Sequence, residues 1–358
     1  MVRVLIVEEG HKDIYGKIFE KRFRELGYEV YGMYLHTYFK DYPYDKVLKV
    51  DNNYIKKAYY KFQKKYSIGP VIYKINRDII NFVNKYKIDL VFIYRNNHIW
   101  PITIKKLKKL GVKVFDYNND DPFSLKQPKY KWRNYFKSLN LYDYIFVYRK
   151  KNIDDLEKLG YKNVNLLRAY YIKEKNFYIP NIKDYRYKCD VIFVGHWEND
   201  GRDEYLKLLM DKGIDLKIYG TLWENSKYYK YFLSKMKMNK ITYLSKDYNL
   251  AINSAKIALV FLSKLNNDTY TRRCFEIPAT KTMMLSEYTD DLAKNLFEEG
   301  KEAEYFRNKE ELLQKVQYYL NNIDKIKIIG ENGYKRLMKD GHEAIDRCKE
   351  IMRVYNAI

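Results

Sequence analysis

Short apolar runs alternate with amphipathic stretches along almost all of this 358-residue chain, and many of the stretches close on a glycine. The run 2–7 (VRVLIV) ends at Glu8-Glu9-Gly10, and 12–26 then spaces its apolar residues as a helix does, up to Gly27. Strand, loop and helix in that order open a parallel sheet covered on both faces, because parallel neighbours need a crossover and the helix supplies it. Further strands are expected at 28–33, 90–94 (LVFIY), 112–115, 144–148 (YIFVY) and 164–167, with helices at 52–66, 70–86 and 101–110. A polar, proline-containing stretch, 172–188, reads as a linker. The pattern then restarts, with strands at 189–194 (CDVIFV), 216–219, 241–244, 255–262 and 283–286. Helices are expected between them at 202–212, 225–237 and 272–279, then at 308–322 and 324–356. The fold class is α/β, with two units, 1–171 and 189–335, joined by 172–188 and closed by a terminal helix over 336–358.

A composition 46% hydrophobic and 32% charged is that of a folded chain rather than a disordered one. No apolar run approaches the roughly 20 residues of a membrane span, and the opening run is too short for a signal peptide. Cys189, Cys274 and Cys348 lie far apart with no CxxC spacing, which argues against a disulfide framework or a zinc knuckle. A reduced, cytoplasmic protein is expected.

The net charge of +22 is uneven: 1–170 holds 35 Lys and Arg against 18 Asp and Glu, whereas 171–358 holds 33 against 28. Residues 51–150 alone carry 22 against 7. Such an excess suits an anionic partner, whether nucleic acid, an anionic membrane face or an acidic glycan. Abundant Lys, Tyr, Asn and Ile also follow from an AT-rich genome, but codon bias should load both halves alike.

The second half carries the specific signals. The stretches 190–220 (DVIFVGHWENDGRDEYLKLLMDKGIDLKIYG) and 267–287 (NDTYTRRCFEIPATKTMMLSE) resemble the glycosyltransferase family that includes the CgeB-like spore-maturation proteins. Residues 142–167 and 296–320 are similar to further segments of that family; the resemblance covers about 142–350 and reaches 1–140 in pattern only. It implies the GT-B fold: two Rossmann-like domains facing a cleft, and a last helix crossing back to the N-terminal domain. It also implies a nucleotide-diphosphate sugar as donor substrate on the C-terminal domain and a saccharide or glycan acceptor on the N-terminal one. No separate cofactor is expected.

The residues support donor binding on their own chemistry. A diphosphate needs backbone N–H groups and guanidinium groups, which Gly195 before a helix beginning near Arg202, and Arg272 with Arg273, would offer. Glu276 would accept hydrogen bonds from ribose hydroxyls. FEIPA resembles the place where related retaining enzymes put the second Glu of a Glu-x7-Glu motif; here the first position is Asp268, which makes Asp-x7-Glu. That spacing leans toward retention, in which the leaving diphosphate takes the acceptor proton. Tyr219, Gly220, Tyr243 and Leu244 follow strand ends and are candidates for the base and ribose, although 40 tyrosines make any one of them a weak signal. Each of these also has a plainer reading: a solvated helix start at Arg202, a surface Arg–Glu pair at Glu276.

His196 follows Gly195 and is a candidate to meet the donor; His11 and His98 follow first-unit strands and are candidate general bases should transfer invert the sugar. Gly10 and His11 would line the acceptor side, as would Asp120 and Asp121 of NNDDP. That acidic pair has a metal-binding look, but after a first-unit strand it fits acceptor hydroxyls or a helix cap better, and no essential metal is expected. Two alternatives stand: a nucleotide-sugar epimerase of the same fold, and a non-catalytic binder of polyanions. No nucleic-acid motif appears, so no specific nucleic acid is expected as partner; peripheral contact with an anionic membrane is.

Overall fold

The computed structural model describes residues 1–10, 13–39 and 54–358, the side chains of 54–57 excepted. The chain forms two compact units: residues 1–168 with 344–358, and residues 169–343. The stretch 172–188 thus falls inside the second unit, and only the last helix, Ala344–Ala357, returns to the first. Helical tail 324–356 is broken: one helix, Ile323–Asp340, ends at Gly341, and the next begins after it.

The first unit is a six-stranded parallel sheet of β1 (Arg3–Glu8), β2 (Glu29–Tyr34), β3 (Leu90–Tyr94), β4 (Lys113–Asn118), β5 (Tyr144–Val147) and β6 (Val164–Leu166). Their order is β2-β1-β3-β4-β5-β6, with Val4 level with Val30 on one side and Leu90 on the other. All five β3 residues are buried, as a strand covered on both faces must be. One face packs Leu5, Val7, Val91 and Ile93 against Ile75, Ile79, Ile104 and Leu107 of the helices Pro70–Tyr86 and Pro101–Lys109. Each of those helices begins with proline, whose fixed φ suits a first turn. On the other face Phe19 meets Phe92 edge-on at 5.6 Å, and Phe115 meets Tyr355 of the last helix at 6.4 Å.

The second unit has five parallel strands, β7 (Cys189–Val194), β8 (Leu216–Tyr219), β9 (Ala255–Val260), β10 (Met283–Glu287) and β11 (Glu304–Phe306), in the order β11-β10-β9-β7-β8. Two features depart from the sequence pattern. Residues 241–244 form no strand; they run beside the end of β8, joined where the Gly220 N–H donates to the Thr242 carbonyl at 2.9 Å. The short β11 occupies the edge instead, its buried Glu304 accepting from Lys315 Nζ (2.8 Å) and the Tyr319 hydroxyl (2.6 Å). The resulting pair of parallel sheets with helices is the α/β architecture expected.

Candidate functional site

In the second unit the strand order reverses at β7, with β8 on one side and β9 on the other, so the crevice outside the carboxyl ends of β7 and β9 is where ligands bind in sheets of this kind. Gly195 and His196 follow β7, Tyr219 and Gly220 end β8, and 261–276 follow β9. The backbones there are close-packed. Gly220 sits at φ +144°, open to glycine alone, and a Cβ on it would overlap the Gly195 carbonyl. That carbonyl accepts from the buried indole N–H of Trp223 at 2.9 Å.

Arg273 reaches back to this point. Its Nη1 donates to the Val194 carbonyl at 2.7 Å, and a Cβ on Gly195 would collide with the guanidinium. The Arg273 Nε–H is buried and has no hydrogen-bond partner among the described residues. Arg272, one position earlier, points elsewhere: its Nε pairs with Glu276 Oε1 at 2.6 Å and its guanidinium covers the Tyr170 ring at 5.1 Å. The Tyr248 hydroxyl donates to the other Glu276 oxygen at 2.8 Å, so the carboxylate is held from both sides. Burial pushes the Tyr248 phenol well up, and the Glu276 charge adds to it, which keeps Tyr248 a donor.

Arg202 is used differently from the diphosphate clamp its position suggests. Buried almost completely, it makes a two-pronged pair with Asp200 (2.9 and 2.6 Å) and donates to the His196 carbonyl at 2.9 Å and to that of Leu262 at 3.4 Å. It ties the loop after β7 to the end of β9. His196 is exposed, with Nε2 2.9 Å from Glu198 Oε1. Burial raises the Glu198 carboxyl, but the His196 hydrogen bond and the Arg202 charge outweigh that and hold it below the usual range. Glu198 also accepts from Ser263 Oγ at 3.2 Å, a link across β7 and β9 that the sequence pattern does not reveal.

Asp268 is half-buried in the loop after β9, its N–H bonded to the Ser263 carbonyl at 3.0 Å, and its charge acts on the buried Cys274 thiol. Tyr219 is buried edge-on against Tyr187 at 5.7 Å, and Leu244 is buried as well. Of that group Tyr243 alone stands exposed. Gly195, His196, Arg202, Gly220 and Arg273 come together at the ends of β7, β8 and β9, with the Arg272–Glu276 pair on the neighbouring turn; Tyr219 and Leu244 contribute packing.

The first unit gathers a second cluster where its own order reverses, between β1 and β3. His11 lies outside the described residues. Gly10 packs against Glu8, whose buried carboxylate accepts from the Gly16 N–H at 2.9 Å; burial pushes that carboxyl up to about 7. His98 is buried, Nδ1 2.9 Å from Ser67 Oγ and Nε2 3.2 Å from Glu9 Oε1. Burial raises Glu9, but His98, Lys64 and Arg95 together bring it well below the usual range. Arg95, at φ +67°, donates to Asn119 Oδ1 at 3.0 Å and stands 3.7 Å from Asp120, which Lys131 also meets at 2.9 Å. Asp121 is buried and accepts from Asn152 Nδ2 and the Phe123 N–H, so the acidic pair is divided between an ion-pair cluster and a loop cap. A left-handed backbone on a non-glycine residue marks strain of the kind found at sites, and Glu8, Glu9 and Arg95 were not legible as a group in the sequence.

Residues 202–353 match the family model described as glycosyl transferase-like. No curated protein matches the chain in sequence. Among solved structures, sucrose-phosphate synthase from Thermosynechococcus elongatus is similar at a TM-score of 0.69 and 10% identity, over 100% of this chain and 99% of that one. Anabaena HepE in complex with UDP is similar at 0.67 and 9%, over 100% of both chains. A UDP-N-acetylglucosamine 2-epimerase is similar at 0.57 and 9%, over 98% of this chain and 94% of that one. The chain thus has the GT-B fold of these structures, and its residues 202–353 are similar to the glycosyl transferase-like family.

Proposed function

We propose that the chain is a glycosyltransferase that moves a sugar from a nucleotide-diphosphate sugar to a saccharide or glycan acceptor, without a resident metal. The observation that carries the reading is Arg273: it is anchored on the Val194 carbonyl beside Gly195, keeps a buried N–H unspent, and neighbours a Glu276 carboxylate fixed by Arg272 and Tyr248. As the bond from the sugar's anomeric carbon to the diphosphate breaks and the acceptor oxygen bonds to that carbon, negative charge gathers on the leaving diphosphate. A preset guanidinium stabilises that charge as it forms. Glu276 takes hydroxyls of the donor. The leaving group receives the acceptor proton, which fits retention, and the Asp-x7-Glu spacing supports the same outcome. UDP and UDP-glucose are bound by similar structures, which favours a uridine donor here. The segments 190–220 and 267–287 support the narrower kinship with CgeB-like enzymes, and a cytoplasmic location fits three buried cysteines that form no disulfide.

A thermal-shift panel of UDP-, GDP-, ADP-, CMP- and dTDP-sugars tests it. One donor should raise the melting temperature by mass action, and Arg273→Ala and Glu276→Ala should each abolish that rise while leaving the unliganded transition in place. A flat response to every donor refutes the reading. Interconversion of a nucleotide sugar without acceptor would identify an epimerase instead, and loss of transfer on chelation, restored by Mn²⁺, would refute metal independence.

A further inference from the structure

Two first-unit segments that contain no Asp or Glu, 54–77 with seven Lys and Arg and 122–142 with five, carry much of its charge excess. The fold joins them. Arg133 Nη2 donates to the Tyr66 carbonyl at 2.6 Å, the Phe62 and Tyr66 rings lie 4.8 Å apart, and Tyr66 and Tyr130 lie 6.0 Å apart. Lys65 Nζ stands 5.2 Å over both tyrosine rings. Apolar side chains of these two segments are exposed: Tyr59, Phe62, Tyr66, Ile68, Tyr130 and, 94% exposed, Leu125. Lys61, Lys65, Lys129 and Arg133 are exposed among them.

We propose that this face of the first unit docks on an anionic phospholipid surface. Lysines interleaved with outward aromatic and aliphatic side chains match the interfacial region of a bilayer, where ammonium groups meet phosphates and apolar tips enter the acyl boundary. Tyr alone would suit stacked bases equally well, but Ile68 and Leu125 gain nothing from a base and do gain from lipid. A second copy of the chain is disfavoured, since it would bring two faces together whose described residues are mainly basic. Among the described residues no helix is long and apolar enough to cross a membrane, so the contact proposed is peripheral. The face is continuous with the strand-end loops: Ser67 Oγ donates to the Asn97 carbonyl at 2.8 Å, the Trp100 indole N–H to the Ser67 carbonyl at 2.9 Å, and Lys131 pairs with Asp120. Docking therefore sets the rim carrying Glu9, Arg95 and Asp120 beside the lipid surface. The inference stands apart from the donor reading, because it concerns other residues and needs no turnover.

The test is cosedimentation of the full chain with phosphatidylcholine vesicles, with and without roughly one-third phosphatidylglycerol. Binding is expected only with the anionic lipid, weakening steeply with salt. Lys61→Gln/Lys65→Gln/Lys129→Gln should lower the partition coefficient on the order of 100-fold. Phe62→Ser/Ile68→Ser/Leu125→Ser should lower it about tenfold or more and leave binding to a single-stranded RNA unchanged. Melting curves confirm that the variants fold; should the triple apolar variant fail, Leu125→Ser alone must still weaken vesicle binding. No cosedimentation overturns the proposal. So does vesicle binding indifferent to the apolar substitutions, or RNA bound more tightly than vesicles, either of which makes the face a polyanion binder.

Discussion

Glu8→Gln should stabilise the first unit, and by an amount that grows with pH. The carboxyl lies at the end of β1, 2% exposed, with one oxygen bonded to the Gly16 N–H and the other without a partner among the described residues. Burial pushes it up, against the Gly16 hydrogen bond and the charges of Arg95 and Lys17, from an ordinary 4.5 to about 7. A folded-state value above the unfolded one means that the proton is held more tightly in the native protein. Stability from this group is therefore complete below about pH 4.5 and is lost as pH rises to 7, by about 3 kcal/mol at 1.36 kcal/mol for each pH unit between the two values. Glutamine keeps the acceptor for the Gly16 N–H and never ionises. The assay is the melting temperature of wild type and Glu8→Gln across pH 5 to 8, read on the first unit's transition. Near pH 5 the two should nearly coincide, and by pH 8 the variant should lead by about 5–10 °C for a unit of this size. A difference that does not change with pH would refute the reasoning, as would a variant less stable at every pH.

Two other substitutions address the second unit. Tyr248→Phe removes one hydrogen bond from Glu276 and should cost about 1 kcal/mol of stability, and the donor-induced thermal shift should shrink without vanishing; an unchanged shift would mean that Glu276 needs no such support. Gly220→Ala sets a methyl group against the Gly195 carbonyl in a left-handed backbone and should cost on the order of 3 kcal/mol or more, seen as a lower melting temperature or as insoluble protein.

Much of the architecture could be read from apolar runs alone, because strands covered on both faces need nothing else. Leu90–Tyr94 and Cys189–Val194 have the boundaries their sequences suggest. The failures have specific causes. Residues 241–244 (ITYL) have a strand's alternation, yet Thr242 and Tyr243 face solvent and only one backbone bond joins them to Gly220. β11 hides its character behind Glu304, a charge that is buried only because Lys315 and Tyr319 reach it from the next helix. At the site, adjacent arginines look alike in sequence, whereas successive helical residues point about 100° apart; Arg272 meets Glu276 and Arg273 meets Val194 for that reason. The strained Arg95 and the proton-holding Glu8 are products of tertiary burial. No local pattern announces them.

Arg202 separates a ligand from a brace. If it met the diphosphate directly, lysine would keep the charge, leave the fold alone and weaken donor binding. The geometry argues for the other outcome. Its guanidinium spans Asp200, the His196 carbonyl and the Leu262 carbonyl, three groups on the two loops that border the crevice, while only about 1% of the side chain is exposed. A lysine ammonium is a point donor on a flexible stem and cannot hold that fork. Arg202→Lys should therefore leave Asp200 half-satisfied and the loops untied, costing about 2–3 kcal/mol of stability, a fall of about 4–12 °C in the second unit's transition. Donor response should decline along with stability, because the Gly195 backbone and Arg273 lose their fixed spacing. An unchanged melting temperature with a lost donor response would place Arg202 on the diphosphate after all.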